Sequence, residues 1–144
     1  HNKFQLNFFI RLTYFFMKQQ KKVFKDYVKV VLSTWHHEQS DPYLTTLFKS
    51  IAHWNVIMLI GESTYSDKNH SYEDLCRLVP QRVASRATIQ RIINELIQLD
   101  LIEKINKPSD HRTKYLSFTK IGIKGFEEFV LNEFEVYKNE WIDL

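Results

Sequence analysis

Between residues 85 and 114 the chain collects side chains that suit nucleic-acid recognition better than acid–base or nucleophilic catalysis. Arg86, Ala87, Gln90, Arg91 and Asn94 recur at helical spacing, so a helix here would present them together, opposite Ile89, Ile92, Ile93 and Leu96. An arginine can donate to guanine O6 and N7 at once, a glutamine or asparagine can pair with the adenine edge, and an alanine methyl can meet the thymine methyl. Ser85 and Thr88, beside the free N–H groups of the helix start, suit phosphate oxygens. Any amphipathic helix shows a polar face, usually of Glu and Lys. This one is basic and amide-rich, with Glu95 the nearest acid.

A second group follows in KPSDHRTKYLSFTKIG, residues 107–122. Lys104, Lys107, His111, Arg112 and Lys114 lie on or near a polar tip between two β-prone runs, 101–107 and 113–119. A basic hairpin tip can reach a minor groove, where negative potential favours arginine. Lys104, Lys107 and Lys114 are expected mainly on phosphates. Asp110, two residues before Arg112, is expected to hold and orient its guanidinium through a charge-assisted bond.

The surrounding charge supports a polyanionic partner. Net charge is only +3, but residues 77–114 carry eight Lys/Arg against four Asp/Glu, while the segments 51–76 and 115–144 are acidic. At 144 residues, with 44% apolar and 26% charged residues, the composition is that of one globular domain. Three glycines and three prolines imply long elements, mostly helix. Residues 4–17 are too short and too polar for a membrane span and lack a cleavage site, so the expectation is a soluble cytoplasmic protein without membrane association.

The elements that must position these residues follow from periodicity. Residues 4–39 read as helix, with the polar KQQKK at 18–22 a place to bend or break. Ser-Asp-Pro at 40–42 is a restart, Asp41 capping and Pro42 at the first helical position, of a second helix reaching about residue 61. Residues 62–70 are polar and turn-rich. Ser71 and Asp74 open a short helix over 72–79 packed through Leu75, Cys76 and Leu78 or Val79, then a brief turn at 80–84 leads to Ser85, the cap of the basic helix. Thr119 can cap a last helix, whose stripe is Phe126, Phe129, Val130, Phe134, Tyr137 and Trp141. A short helix, a turn, a second helix and a hairpin make a winged helix-turn-helix. The expected class is therefore mainly α (α+β). It is a single domain over 1–144, with a winged helix-turn-helix module at 44–119 and long dimerisation helices at 1–40 and 120–144, whose aromatic stripes require a partner surface.

The run from Ser71 to Gly122 resembles the winged-helix region of multiple-antibiotic-resistance-type (MarR) regulators. The matching points are SRATIQRIINEL as recognition helix, LDLIEK as its exit, Asp110-His111-Arg112 at the wing tip, and LSFTKIG leading into the last helix. Where the family usually has glycine after the recognition helix, this chain has Asp100, a residue that tolerates a left-handed backbone. The resemblance implies a homodimer joined by the terminal helices, binding to palindromic double-stranded DNA, and often release by a small-molecule effector or by oxidation. An effector would sit near Trp35, Tyr43, Trp54 and Tyr65, although core packing is the stronger account of each of those aromatics.

Other chemistries find little support. The lone Cys76 excludes an internal disulfide and reads as a buried structural cysteine. His36, His37, His53, His70 and His111 match no metal-ligand spacing, and the three glycines form no phosphate-cradling loop, so neither metal, cofactor nor enzymatic activity is expected. The rival reading is a winged-helix protein-interaction module, or a part of a replication or recombination assembly. Such modules often lose the basic residues of the recognition helix, and Arg86 and Arg91 are present here.

Overall fold

The computed structural model describes residues 2–37 and 42–141, and within them the side chains other than those of 2–6, 9, 30, 31, 33–37, 42, 44 and 132–141. The Asp41 cap and the side chains of Trp35, Phe134, Tyr137 and Trp141 lie outside the described residues. The order is α1 (Asn2–His37), α2 (Pro42–Leu47), α3 (Ile51–Tyr65), α4 (Tyr72–Leu78), α5 (Arg86–Gln98), β1 (Ile102–Lys107), β2 (Asp110–Phe118) and α6 (Lys120–Trp141). Two compact units are distinguishable, residues 1–37 with 129–144, and residues 38–128.

In the first unit α1 runs unbroken through the KQQKK stretch, because lysine and glutamine are good helix formers and exposed there to water. Phe8, Phe16, Met17 and Phe24 are among its exposed apolar side chains. No described helix is long and apolar enough to cross a membrane.

The second unit contains the winged helix-turn-helix. Its core is built from α3, α5 and the root of the hairpin: Val56, Ile57, Ile60, Ile89, Ile92, Ile93, Leu96, Ile102 and Leu116 are all at most 2% exposed. Burying an aliphatic side chain of this size stabilises by about 1.5–3 kcal/mol, so these residues, with Leu47 and Leu75 also fully buried, contribute heavily to the unit's cohesion. The single helix expected over 42–61 is instead two. Ser50, extended at φ −162°, caps a new helix with its hydroxyl accepting from His53 N–H at 3.1 Å. The far end also differs: α3 continues to Tyr65, with Thr64 Oγ1 donating back to Ile60 O at 2.8 Å.

The two helices of the pair start as their sequences predict. Ser71 and Asp74 form a reciprocal capping box on α4, and Ser85 Oγ accepts Thr88 N–H at 3.2 Å on α5. Leu75 and Val79 carry the packing of α4; Leu78 is exposed and Cys76 half-buried. After α5, Asp100 takes the left-handed conformation, φ 57°, that the chain needs to turn from helix into wing. The backbones then close on each other. Leu101 O accepts Thr119 N–H at 3.1 Å, Thr119 Oγ1 caps Gly122 N–H at 3.1 Å, and a Cβ at Gly122 would lie 2.0 Å from Leu101 O. Only glycine fits there.

The hairpin is antiparallel and its tip is shorter than expected, residues 108–109. Pairs run Ile102↔Phe118, Lys104↔Leu116 and Asn106↔Lys114 on one face, and Glu103↔Ser117 and Ile105↔Tyr115 on the other. The register then jumps, Lys107 opposing Asp110, so residues 111–113 bulge from the strand. Leu116 N–H donates to His70 O at 2.8 Å, and Phe118 N–H to Thr64 Oγ1 at 2.9 Å, tying β2 to the end of α3 and to the segment that follows it.

Candidate nucleic-acid interface

Helix α5 divides as its sequence spacing requires. Ile89, Ile92, Ile93 and Leu96 are buried, while Arg86, Ala87, Arg91 and Asn94 are exposed and Thr88 and Gln90 half-exposed. Ser85 is exposed at the N-terminus, and no acid lies in the first turn. The start of α5 is thus a positively polarised tip with a hydroxyl and an arginine beside it. Gln90 Nε2 donates to Asn94 Oδ1 at 3.0 Å, so the two amides meet as an i, i+4 pair.

The acid nearest the reading residues is not the one expected. Glu95 turns toward α3, where Oε1 accepts from Lys49 Nζ at 2.7 Å and Oε2 lies 3.1 Å from His53 Nε2. The lysine contact, followed by the histidine contact, outweighs partial burial and holds this carboxyl below its usual range. His53 is 5% exposed and also meets Ser50 Oγ through Nδ1 at 2.7 Å, so the α3 cap and the middle of α5 share one polar network. Glu73 of α4 takes the position beside the reading face. Its Oε1 accepts from Arg86 Nη2 at 2.6 Å. Tyr72 lies under the same arginine, ring centroid 5.5 Å from Cζ, and its hydroxyl donates to Arg86 O at 3.1 Å.

On the wing, Lys104, His111, Arg112 and Lys114 are exposed. Lys104 and Lys114 share one face of the hairpin with Asn106. Lys107 falls on the opposite face, and its Nζ lies 3.5 Å from Asp74 Oδ2 at the start of α4, which makes it a brace rather than an outward cation. The expected Asp110–guanidinium contact is replaced. Asp110 Oδ1 accepts the backbone N–H of Arg112 at 3.0 Å and Oδ2 accepts the Thr113 hydroxyl at 2.8 Å. Two residues on, the backbone N–H is closer to an aspartate than the end of a long side chain, so an Asx-type turn wins. These two bonds hold the Asp110 carboxyl below its usual range and fix the bulge that projects His111 and Arg112.

No family model matches the sequence, and no curated protein does. Solved structures do. S. aureus MepR bound to ethidium bromide is similar over 92% of this chain and 81% of that one, at 16% identity and a TM-score of 0.60. The S. aureus MepR–DNA complex is similar over 81% and 90%, at 17% identity and a TM-score of 0.53. The chain has the MarR-type winged-helix fold. It spans 61% of the length of a third neighbour, the transcriptional regulator Tm0710 from Thermotoga maritima, at 18% identity and a TM-score of 0.49.

Within that MarR-type fold, sequence spacing does not point to two residues that lie beside the outward face of α5. Tyr72 and Glu73 are 14 and 13 positions before Arg86, too far for any periodic signal; only the side-by-side packing of α4 and α5 brings them together. His53, which spacing offers only as a metal ligand, is buried between Ser50 and Glu95, and no group of three or more His, Cys, Asp or Glu that could hold a metal occurs among the described residues. Cys76 is half-buried rather than buried.

Proposed function

We propose that the chain is a sequence-specific DNA-binding transcriptional regulator. It acts as a homodimer on a two-fold symmetric operator, α5 in the major groove and the wing at the neighbouring minor groove. The observation that carries this reading is the division of α5, an apolar face in the core and Arg86, Ala87, Gln90, Arg91 and Asn94 turned outward, directly followed by a hairpin with Lys104, Lys114, His111 and Arg112 exposed. Arg91 and Asn94 suit base edges; Ser85, Thr88, Lys104 and Lys114 suit phosphates; Arg112 suits a narrow minor groove. The likeness to a fold solved on DNA supports the same docking.

Dimerisation is assigned to residues 1–40 and 120–144 and DNA binding to 44–119. The exposed apolar side chains of α1 favour a second copy, whose two-fold axis would present the two recognition helices to half-sites one turn of duplex apart. Modulation by a small ligand belongs to the same reading, supported by the likeness to MepR bound to ethidium bromide. The test is to sequence the duplexes that the protein selects from a random pool. A motif with two-fold symmetry is the expected outcome; no enrichment, together with a flat salt dependence on duplex DNA, would overturn the reading in favour of a protein-interaction module.

A further inference from the structure

Arg86 stands at the first position of α5, where aligned peptide dipoles disfavour a cation. The first turn of α5 has no acid to offset this. The offset comes from the first turn of α4. Glu73 binds the guanidinium at 2.6 Å, and Tyr72 supports it from below while fastening the Arg86 carbonyl. One turn of the first helix therefore holds the leading arginine of the second. Arg91, on the same outward face, is exposed and has no such clasp among the described residues. We infer that Glu73 is a specificity-determining residue of the interface, which occupies Arg86 in the free protein and yields it only to a group that can replace a carboxylate. This inference rests on the DNA-binding reading above.

The discrimination follows from the exchange. A phosphate met out of register must displace one anion to become another, and the displaced Glu73 carboxylate stays close enough to repel it. A phosphate or guanine edge seated at the N-terminus of α5 adds the helix N–H groups and the Ser85 hydroxyl to the exchange, and the balance turns toward binding. The clasp must also be weak enough to open. Its partners are 60% and 69% exposed, so it belongs to the class of surface pairs that water and salt loosen readily.

The Glu73→Gln variant tests this without disturbing the α4 capping box, which uses Asp74. Wild type, E73Q, R86A and the double variant are titrated with a mixed-sequence duplex and with the duplex selected from the random pool, over a range of salt. E73Q is expected to bind the mixed-sequence duplex about 2–5-fold more tightly at low salt, as loss of an exposed ion pair allows. Its log–log salt slope should steepen by up to about 1, and the ratio of selected to mixed-sequence affinity should fall by a similar factor. In the R86A background most of that gain should vanish. Unchanged or weaker binding by E73Q would overturn the proposal, as would a gain undiminished in the R86A background, which would make Glu73 only a repulsive charge. A flat salt dependence in wild type would remove the DNA-binding reading and this proposal with it; a steep wild-type slope with an unresponsive E73Q removes the proposal alone.

Discussion

The two faces of the hairpin make a sharp prediction about phosphate counting. Binding to duplex DNA weakens with salt by a log–log slope of about −0.9 for each phosphate neutralised. Arg91, Lys104, Arg112 and Lys114 are exposed and unbraced among the described residues, whereas Arg86 and Lys107 are engaged by Glu73 and Asp74. With Arg91 assigned to a base edge, the three wing cations give a slope of about −2.7 per protomer, or roughly a 40-fold loss of affinity for a fourfold rise in salt. Alanine at 104, 112 or 114 should each reduce the magnitude of the slope by about 1. Lys107→Ala should leave the slope within about 0.3 and instead cost up to about 1 kcal/mol of stability, through the lost pair with Asp74. The assay is fluorescence anisotropy of a labelled duplex across a salt series, with denaturant melts alongside. If Lys107→Ala flattened the slope as much as Lys114→Ala, the assignment of hairpin faces would be refuted. A wild-type slope shallower than about −1 would refute the interface itself.

Three further outcomes follow from the packing. Gly122→Ala places a methyl 2.0 Å from Leu101 O and should cost at least about 2 kcal/mol in chemical denaturation; a midpoint within error of wild type would contradict the close approach. Ser50→Ala removes both the α3 cap and the hydroxyl at His53 Nδ1, for a loss of about 1 kcal/mol by the same measurement, and a smaller loss in a His53→Ala background would show that the two act together. The Asp74 carboxyl is held down to about 2, first by the Ser71 backbone N–H, then by the Ser71 hydroxyl, Arg77 and Lys107. Because its folded value is depressed, its contribution is fully present above its ordinary value of 3.8 and is lost as pH falls through 3.8 toward 2. Stability measured across that window should therefore fall less steeply in Asp74→Asn than in wild type, by about 1–2 kcal/mol; parallel curves would show that Asp74 carries no such linkage.

Much of the reading module was legible because its signals are local. The Ile89, Ile92, Ile93, Leu96 stripe, the Ser85 cap and the Ser71–Asp74 box each lie within one or two helical turns, and each is found as its spacing implies. Asp100 was legible only through the family resemblance, which has glycine at that place; aspartate is one of the few other residue types at ease with φ 57°. The failures have two causes. At Ser50, helix-spaced apolar residues on both sides hid a cap: Leu47 before it and Val56, Ile57 and Ile60 after it are all buried, so the spacing carries across the break. At Glu73, Lys107 and Glu95, a charged residue chose its partner by tertiary packing, across 13, 33 and 42 or more positions, where no spacing rule operates. Asp110 failed for a different reason: charge complementarity pointed to a guanidinium, and the geometry of a short side chain preferred a backbone N–H.

The bulge at residues 111–113 separates two properties of the wing that a regular hairpin would link. In paired strands an inserted residue exchanges the faces of everything beyond it, and here would swap Lys104 or Lys114 for Ile105 or Tyr115. Within the bulge no register exists to be shifted. Wing length can therefore drift, by about 3.3 Å of reach for each extended residue gained or lost, while both lysines keep their aim. Homologous wings of unequal length and constant basic face would be the natural record of that freedom.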